Sequence, residues 1–295
     1  MIEIKDILKR NNIKGLKYKK IGNSVVVDDK YIVKRNKKND YILNYLDNRN
    51  FTYYPHIYDK DDKYEIVEYI EDENIPKEQK MNDLVKLVSV LHNKTTYYKE
   101  VDEADFKKLY EDILNNLEYL EEYYLDLITI IESKVFFSPP EHLLATNITL
   151  IFDSINYSRD MTKKWYEMIS KKTHKMRVSV IHNNLSLDNY IKNNKDYLTN
   201  WDKSKIDIPI FDLYKLYLRN YNEFDFFDIL RIYEKEYPLK DEELLLFYIL
   251  ISMPNKIEFD DANYNLCIKI EKEVDKLLKS SDLITTYRKL PQTSK

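Results

Sequence analysis

His182-Asn183-Asn184-Leu185-Ser186-Leu187-Asp188-Asn189 is a polar loop set between two β-like runs, Val178-Ser179-Val180-Ile181 before it and Asp196 to Trp201 after it. Short runs of β-branched and aromatic residues bounded by Asn, Asp and Ser read as strands. The segment 178–203 therefore interrupts a region whose apolar spacing is otherwise helical. Any chemistry the chain performs is expected in this break.

Outward from the break the pattern is helical on both sides. Pro76 suits a helix start, and Leu84, Leu87, Val88 and Leu91 fall on one face of the helix that follows. A long charged helix is predicted over 103–134. Ser138-Pro139-Pro140-Glu141 opens another, which Asp160 to Ile169 continues. Beyond the break, Pro209 to Tyr217, Phe224 to Tyr233, Glu242 to Met253 and Ala262 to Leu278 return to helix, and Pro291 to Lys295 reads as a loose tail. Residues 1–72 differ in texture. Val25 to Lys34 is β-branched on both sides of Asp28-Asp29, the signature of a hairpin, and Tyr41 to Leu46 has helical apolar spacing. Phe51 to Tyr58 and Tyr64 to Ile70 flank a charged turn at 59–63 and read as a second hairpin. The expected order is strand, strand, helix, strand, strand, giving a β-rich region 1–72 and a helical region 73–295 that carries the 178–203 segment.

Composition removes several function classes. The 295 residues contain 2 glycines, where average usage of about 7% would supply roughly twenty. Gly15 and Gly22 cannot build a dinucleotide-binding turn, a P-loop or a nucleophile elbow. Lys+Arg 47 against Asp+Glu 51 gives a formal charge of -4, so no dedicated nucleic-acid binder is expected. The basic run Lys34-Arg35-Asn36-Lys37-Lys38 reads as a solvated strand end, and the 27 tyrosines read as compositional bias. Cys267, the single cysteine, cannot form an internal disulfide and reads as a small core residue. With no signal-peptide pattern at the amino terminus, a reduced, cytoplasmic compartment is expected. No apolar window is long enough to span a membrane.

Several motifs, taken in order, resemble the aminoglycoside phosphotransferase and choline-kinase-like superfamily. His182 to Asn189 looks like its H-x-D-x-x-x-x-N catalytic loop. Leu198-Thr199-Asn200-Trp201-Asp202 is similar to its I-D-W-[DE] metal motif, and Ile208-Pro209-Ile210-Phe211-Asp212-Leu213 to its D-P-x-x-D-L helix start. Upstream, Leu84 to His92 with Thr95 resembles the L-x-x-L-H-x-x-T helix, and Glu68-Tyr69-Ile70-Glu71 the interlobe hinge. Lys34 stands in the place of the strand lysine. The resemblance implies an α+β, bilobal protein-kinase-like fold with a small β-rich lobe and a larger helical lobe. It implies ATP and Mg as cofactors, and nucleotide contacts at Lys34, Glu68 and Ile70. Ser138 to Leu144 and Trp165-Tyr166 further resemble the spore coat kinase-like proteins of the CotS type, which implies a spore coat setting.

Three departures bear on activity. The superfamily places a carboxylate at the third loop position as catalytic base, and here it is Asn184. Its metal motif opens with Asp, and here it opens with Asn200; magnesium prefers anionic oxygen to an amide carbonyl. The phosphate-cradling glycine loop is reduced to Ile21-Gly22-Asn23-Ser24. Losing a base or a metal carboxylate costs orders of magnitude in rate. The expectation is a pseudokinase that binds a protein partner or a small molecule. The alternative is a divergent ATP-dependent phosphotransferase in which Asp188 serves as base and Asp202, beside Asn189, holds the metal; on an extended segment Asp202 would share a face with Asn200. His182 is expected to bond backbone, and Lys34 reads either as the strand lysine or as a solvated one. Asp212 and His92 are expected to be structural, the first at a helix start. Trp165 and Trp201 read as core aromatics.

Overall fold

The computed structural model describes residues 2–36, 39–171 and 175–288. In chain order its elements are α1 (Ile2–Arg10), β1 (Tyr18–Ile21), β2 (Ser24–Val27), β3 (Tyr31–Arg35), α2 (Asp40–Asn48), β4 (Ile57–Lys60), β5 (Tyr64–Glu68) and α3 (Lys77–Thr95). There follow β6 (Tyr97–Glu100), α4 (Glu103–Glu132), α5 (Pro139–Ser170), β7 (Lys175–Ile181), β8 (Tyr190–Lys192), β9 (Asp196–Leu198) and β10 (Lys205–Asp207). Four helices close the described chain: α6 (Ile210–Asn220), α7 (Phe226–Glu236), α8 (Asp241–Ser252) and α9 (Asn263–Arg288). The contacts group these into two compact units, Met1–Thr96 with Ser179–Asp207, and Tyr97–Val178 with Ile208–Lys295.

The first unit is built on an antiparallel five-stranded sheet in the order β1-β2-β3-β5-β4. The hairpin at Asp28-Asp29 forms as expected, with both residues left-handed at φ 53° and 51°. Asp28 Oδ1 accepts from the Leu16 and Lys17 amides at 2.8 and 2.6 Å. In the second hairpin β4 begins only at Ile57, after Pro55, which has no N–H to give a ladder. Its turn closes on Asp61, whose carboxylate accepts from the Lys63 and Tyr64 amides and titrates below its usual range because of those bonds.

Two elements were not anticipated by the strand, strand, helix, strand, strand order. Helix α1 is one: Ile7 and Leu8 are buried against Val27, Val33 and Ile66, on one face of the sheet. Strand β1 is the other. All four of its residues are exposed, so it has no apolar alternation to betray it, and its lysines keep an open sheet edge soluble. Side chains alternate along β3. Val33 enters the α1 core, while Ile32 and Lys34 fall on the opposite face, with Val26 and Val67 beside Ile32 in register.

The second unit is helical around α5. Its start is a capping box in which Ser138 bonds the backbone of the first turn and the Ser138 amide donates to Glu141 Oε2 at 2.7 Å. Lys134 also bonds Glu141, and these contacts hold its carboxyl down at about 2. Trp165 is buried, as expected. Strand β6, also unanticipated, pairs with residues 175–178 of β7. Cys267 is half-buried on α9 and is not a core residue, so that expectation is corrected. Lys37, Lys38 and the tail 291–295 lie outside the described residues.

Burial in the α1 core predicts that Leu8→Ala lowers stability by about 2–5 kcal/mol through the cavity it leaves. Thermal or urea unfolding measures it, and a loss below ~1 kcal/mol would show that α1 is not docked in solution.

Candidate functional site

The segment 179–207 belongs to the first unit. Strand β7 delivers it: residues 179–181 pair with β10, and the Val180 amide donates to Thr95 Oγ1 at 3.1 Å, tying the strand to the end of α3. His92, on that helix, is fully buried, in keeping with a structural role. His182 follows β7 and is fully buried too. Its Nε2 lies 2.8 Å from the Thr199 carbonyl oxygen, which can only accept, so Nε2 carries the proton. The imidazole also meets Trp201 edge-on, with centroids 4.9 Å apart. His182 thus bonds backbone, as expected.

Asparagines build the rest. Asn183 is left-handed, with φ 61°, and donates to the Lys203 carbonyl at 2.8 Å. Asn189 is buried and donates through Nδ2 to the Asn184 carbonyl at 2.8 Å, while its Oδ1 accepts from Asn200 Nδ2 at 2.6 Å. Positions 184, 189 and 200 are therefore joined in one network. Thr199 completes it: its amide and hydroxyl both donate to the Asn189 carbonyl, at 2.9 and 3.2 Å.

A divalent cation does not suit this set. Asn189 presents an amide oxygen that already accepts from the Asn200 amino group, and Asn200 turns a donor inward where a hard cation prefers an anionic oxygen. Asn200 is left-handed at φ 60° and Trp201–Lys203 is a 3₁₀ turn. The extended segment expected across positions 200–202 is therefore not what the chain forms there. Asp188 is exposed on the short helical turn Leu187–Asn189, next to the buried Asn189. Among the described residues no group of three or more His, Cys, Asp or Glu side chains gathers to hold a metal ion.

Lys34 is half-buried on β3 and pairs with Glu65 of β5 at 3.1 Å, its direct cross-strand neighbour. It is not a free solvated lysine. Glu68 ends β5; its amide donates to the His56 carbonyl, and its carboxylate accepts from the His56 amide at 3.3 Å. Ile70 is buried just beyond. The next residues are held by the β8–β9 hairpin: Lys192 N–H donates to Asp72, Glu73 N–H to the Lys192 carbonyl, and Asn193 Nδ2 to the Glu71 carbonyl at 2.7 Å. Within the hairpin, Tyr190 and Lys192 both bond Asp196, and these contacts raise both pKa values, burial adding most to the tyrosine. In the second unit Asp212 is fully buried in the first turn of α6.

Two residues were missed. Asn39 stands at the helix start of α2 and reads as a cap, but its Nδ2 instead donates to the Trp201 carbonyl and to Ser204 Oγ, both at 2.6 Å. No local signal could have found a bond spanning 162 positions. Glu65 was missed for a related reason, since its partnership with Lys34 needs the β3–β5 pairing.

Neither a family model nor a curated protein sequence matches the chain. Solved structures do. An aminoglycoside phosphotransferase from Alicyclobacillus acidocaldarius superposes with a TM-score of 0.70 at 11% identity, over 93% of this chain and 92% of its own. The AMP-bound spectinomycin phosphotransferase superposes with a TM-score of 0.54 at 12% identity, over 98% and 95%. The fold is that of the aminoglycoside phosphotransferases. The β-rich amino-terminal and helical carboxy-terminal regions expected of a protein-kinase-like fold are thereby established. Identity this low carries the architecture of a phosphotransferase and nothing of its chemistry, which has to be argued from the side chains.

Removing the Asn39 amide strands buried partners at Trp201 and Ser204. Asn39→Ala is expected to cost roughly 1–3 kcal/mol, against less than about 0.5 kcal/mol for the exposed control Asn44→Ala. Equal effects of the two in urea unfolding would contradict the assignment.

Proposed function

We propose that this chain is a pseudokinase: a protein of phosphotransferase fold that binds a protein partner or a small molecule and does not transfer a phosphoryl group. The Asn189–Asn200 amide pair carries the reading. Where the superfamily resemblance calls for a metal carboxylate, one amide donates to another and the pair is closed. The base position compounds it. The nitrogen lone pair of Asn184 is delocalised into its carbonyl, so it cannot take the proton of a substrate hydroxyl. Both losses are chemical and neither depends on how far the site opens.

Nucleotide is the ligand class this reading favours. Adenosine nucleotide occupies the related spectinomycin enzyme, and Lys34, Glu68 and Ile70 are the residues proposed to meet it here. Binding would then be independent of magnesium. A divergent ATP-dependent phosphotransferase is the second reading, supported by Lys34 in the place of the strand lysine and by the carboxylates of Asp188 and Asp202 nearby in sequence. The spore coat setting rests on the CotS-type resemblance alone, and the capping box already accounts for Ser138-Pro139-Pro140-Glu141 as helix chemistry. No helix among the described residues is long and apolar enough to cross a membrane.

Two measurements test the reading. ATP consumption is expected to stay at background with any hydroxyl acceptor; turnover that disappears in Asp202→Ala would overturn it. Thermal unfolding with nucleotide at 100 times its Kd is expected to gain about 2.7 kcal/mol equally in EDTA and in Mg²⁺. Asn200→Asp reverses the donor toward Asn189. It is expected to lose roughly 1–3 kcal/mol in EDTA and to recover part of that in Mg²⁺, a recovery the wild type does not show.

A further inference from the structure

The second unit holds an open pocket of about 460 Å³, within the size range of small-molecule sites. Its charged lining is Lys256 and Glu258 from the α8–α9 connection and Lys269, Lys272, Glu273 and Lys276 from α9. Positions 269, 272 and 276 are spaced i, i+3, i+7, which sets three ammonium groups on one face of the helix.

Most of these charges are committed. Lys256 pairs with Glu258 at 3.3 Å, and Lys269 with Asp261 at 3.4 Å. Glu273 is buried and saturated: Oε1 accepts from the Asn255 amide and from Lys276 Nζ, both at 2.7 Å, and Oε2 from Asn255 Nδ2 at 2.8 Å. Two donors remain. Lys272 is exposed and has no ion pair among the described residues. Lys276 has a side chain only 4% exposed, and its ammonium meets just the Met253 carbonyl at 2.9 Å and Glu273. An ammonium carries three N–H donors, so one is left over in a buried group that lines the pocket. A desolvated cation with an unfilled donor favours an incoming anion. Desolvation lowers the Lys276 pKa in spite of Glu273, and a bound anion would raise it again. Glu258, exposed at the rim, opposes that anion only weakly because Lys256 screens it.

We propose that this pocket binds a phosphate monoester, with Lys276 bonding it from the floor and Lys272 from the rim. A dianion with three terminal oxygens can take both lysines at once, which a single carboxylate does less well.

Isothermal titration of the full chain with glycerol 3-phosphate, at ionic strength fixed with chloride, tests it. Lys272→Glu is expected to weaken binding at least about tenfold (~1.4 kcal/mol), and Lys276→Met to abolish it. Lys107→Glu, on the exposed face of α4, should leave it unchanged. Should Lys276→Met fail to fold, the exposed Lys272→Glu decides alone. Vesicles of phosphatidate separate a lipid headgroup from a free metabolite as carrier; loss of vesicle binding in Lys272→Glu supports the same site. Absence of binding to both probes, or equal affinity of wild type and Lys272→Glu, overturns the proposal.

Discussion

Buried backbone polar groups must find partners, and a segment that is neither helix nor sheet cannot supply them from its own ladder. The chain between β7 and β10 meets this constraint with side chains. His182 donates to Thr199, Asn183 to Lys203, Asn189 to Asn184, Trp201 to Leu198 and Asn39 to Trp201, each time to a main-chain carbonyl. The loop thereby keeps its shape through neutral donors. Charge is not needed to hold it.

Scarce glycine sharpens the point. Left-handed backbone disfavours side chains, and Asn and Asp tolerate it best after glycine. Among the described residues every non-glycine with positive φ is one of these two: Asn12, Asp28, Asp29, Asn50, Asn183 and Asn200. Asn200 consequently answers two requirements at once, a left-handed turn and a donor to Asn189. Aspartate would satisfy the first and not the second. Its identity is thus tied to its partner as well as to its backbone.

This bears on what could be read without coordinates. Helices α3 to α9 have long apolar periodicity or caps, and the Asp28-Asp29 turn has β-branched flanks, so local pattern specifies them. Helix α1 and strands β1 and β6 are short; β1 and β6 present mostly exposed residues, and only tertiary contact makes any of the three regular. At the site, motif order singled out His182, Asn184, Asn189 and Asn200, and hydrogen bonds join positions 184, 189 and 200. It could not disclose the contacts of Asn39 or Glu65, which depend on chain crossings. The backbone at Asp202 differs from the expectation, because the same-face argument assumes extended chain and the chain turns as 3₁₀ there.

The asparagine network also sets how hard a return to metal chemistry would be. Asn189 is oriented by two bonds at once, donating to the Asn184 carbonyl and accepting from Asn200. Changing position 200 alone to a carboxylate brings two oxygens together, while the Asn184 carbonyl still holds the Asn189 amino group where it is. Rotating Asn189 to donate to the new carboxylate would abandon that carbonyl. Residues sharing one hydrogen-bond network do not contribute additively, so the cost of each change depends on the others. A metal ion would have to outweigh that coupling before its coordination counted as a gain, and a base would still be wanting at position 184. On the reading proposed above, positions 184 and 200 are therefore separate obstacles tied to one hydrogen-bond network.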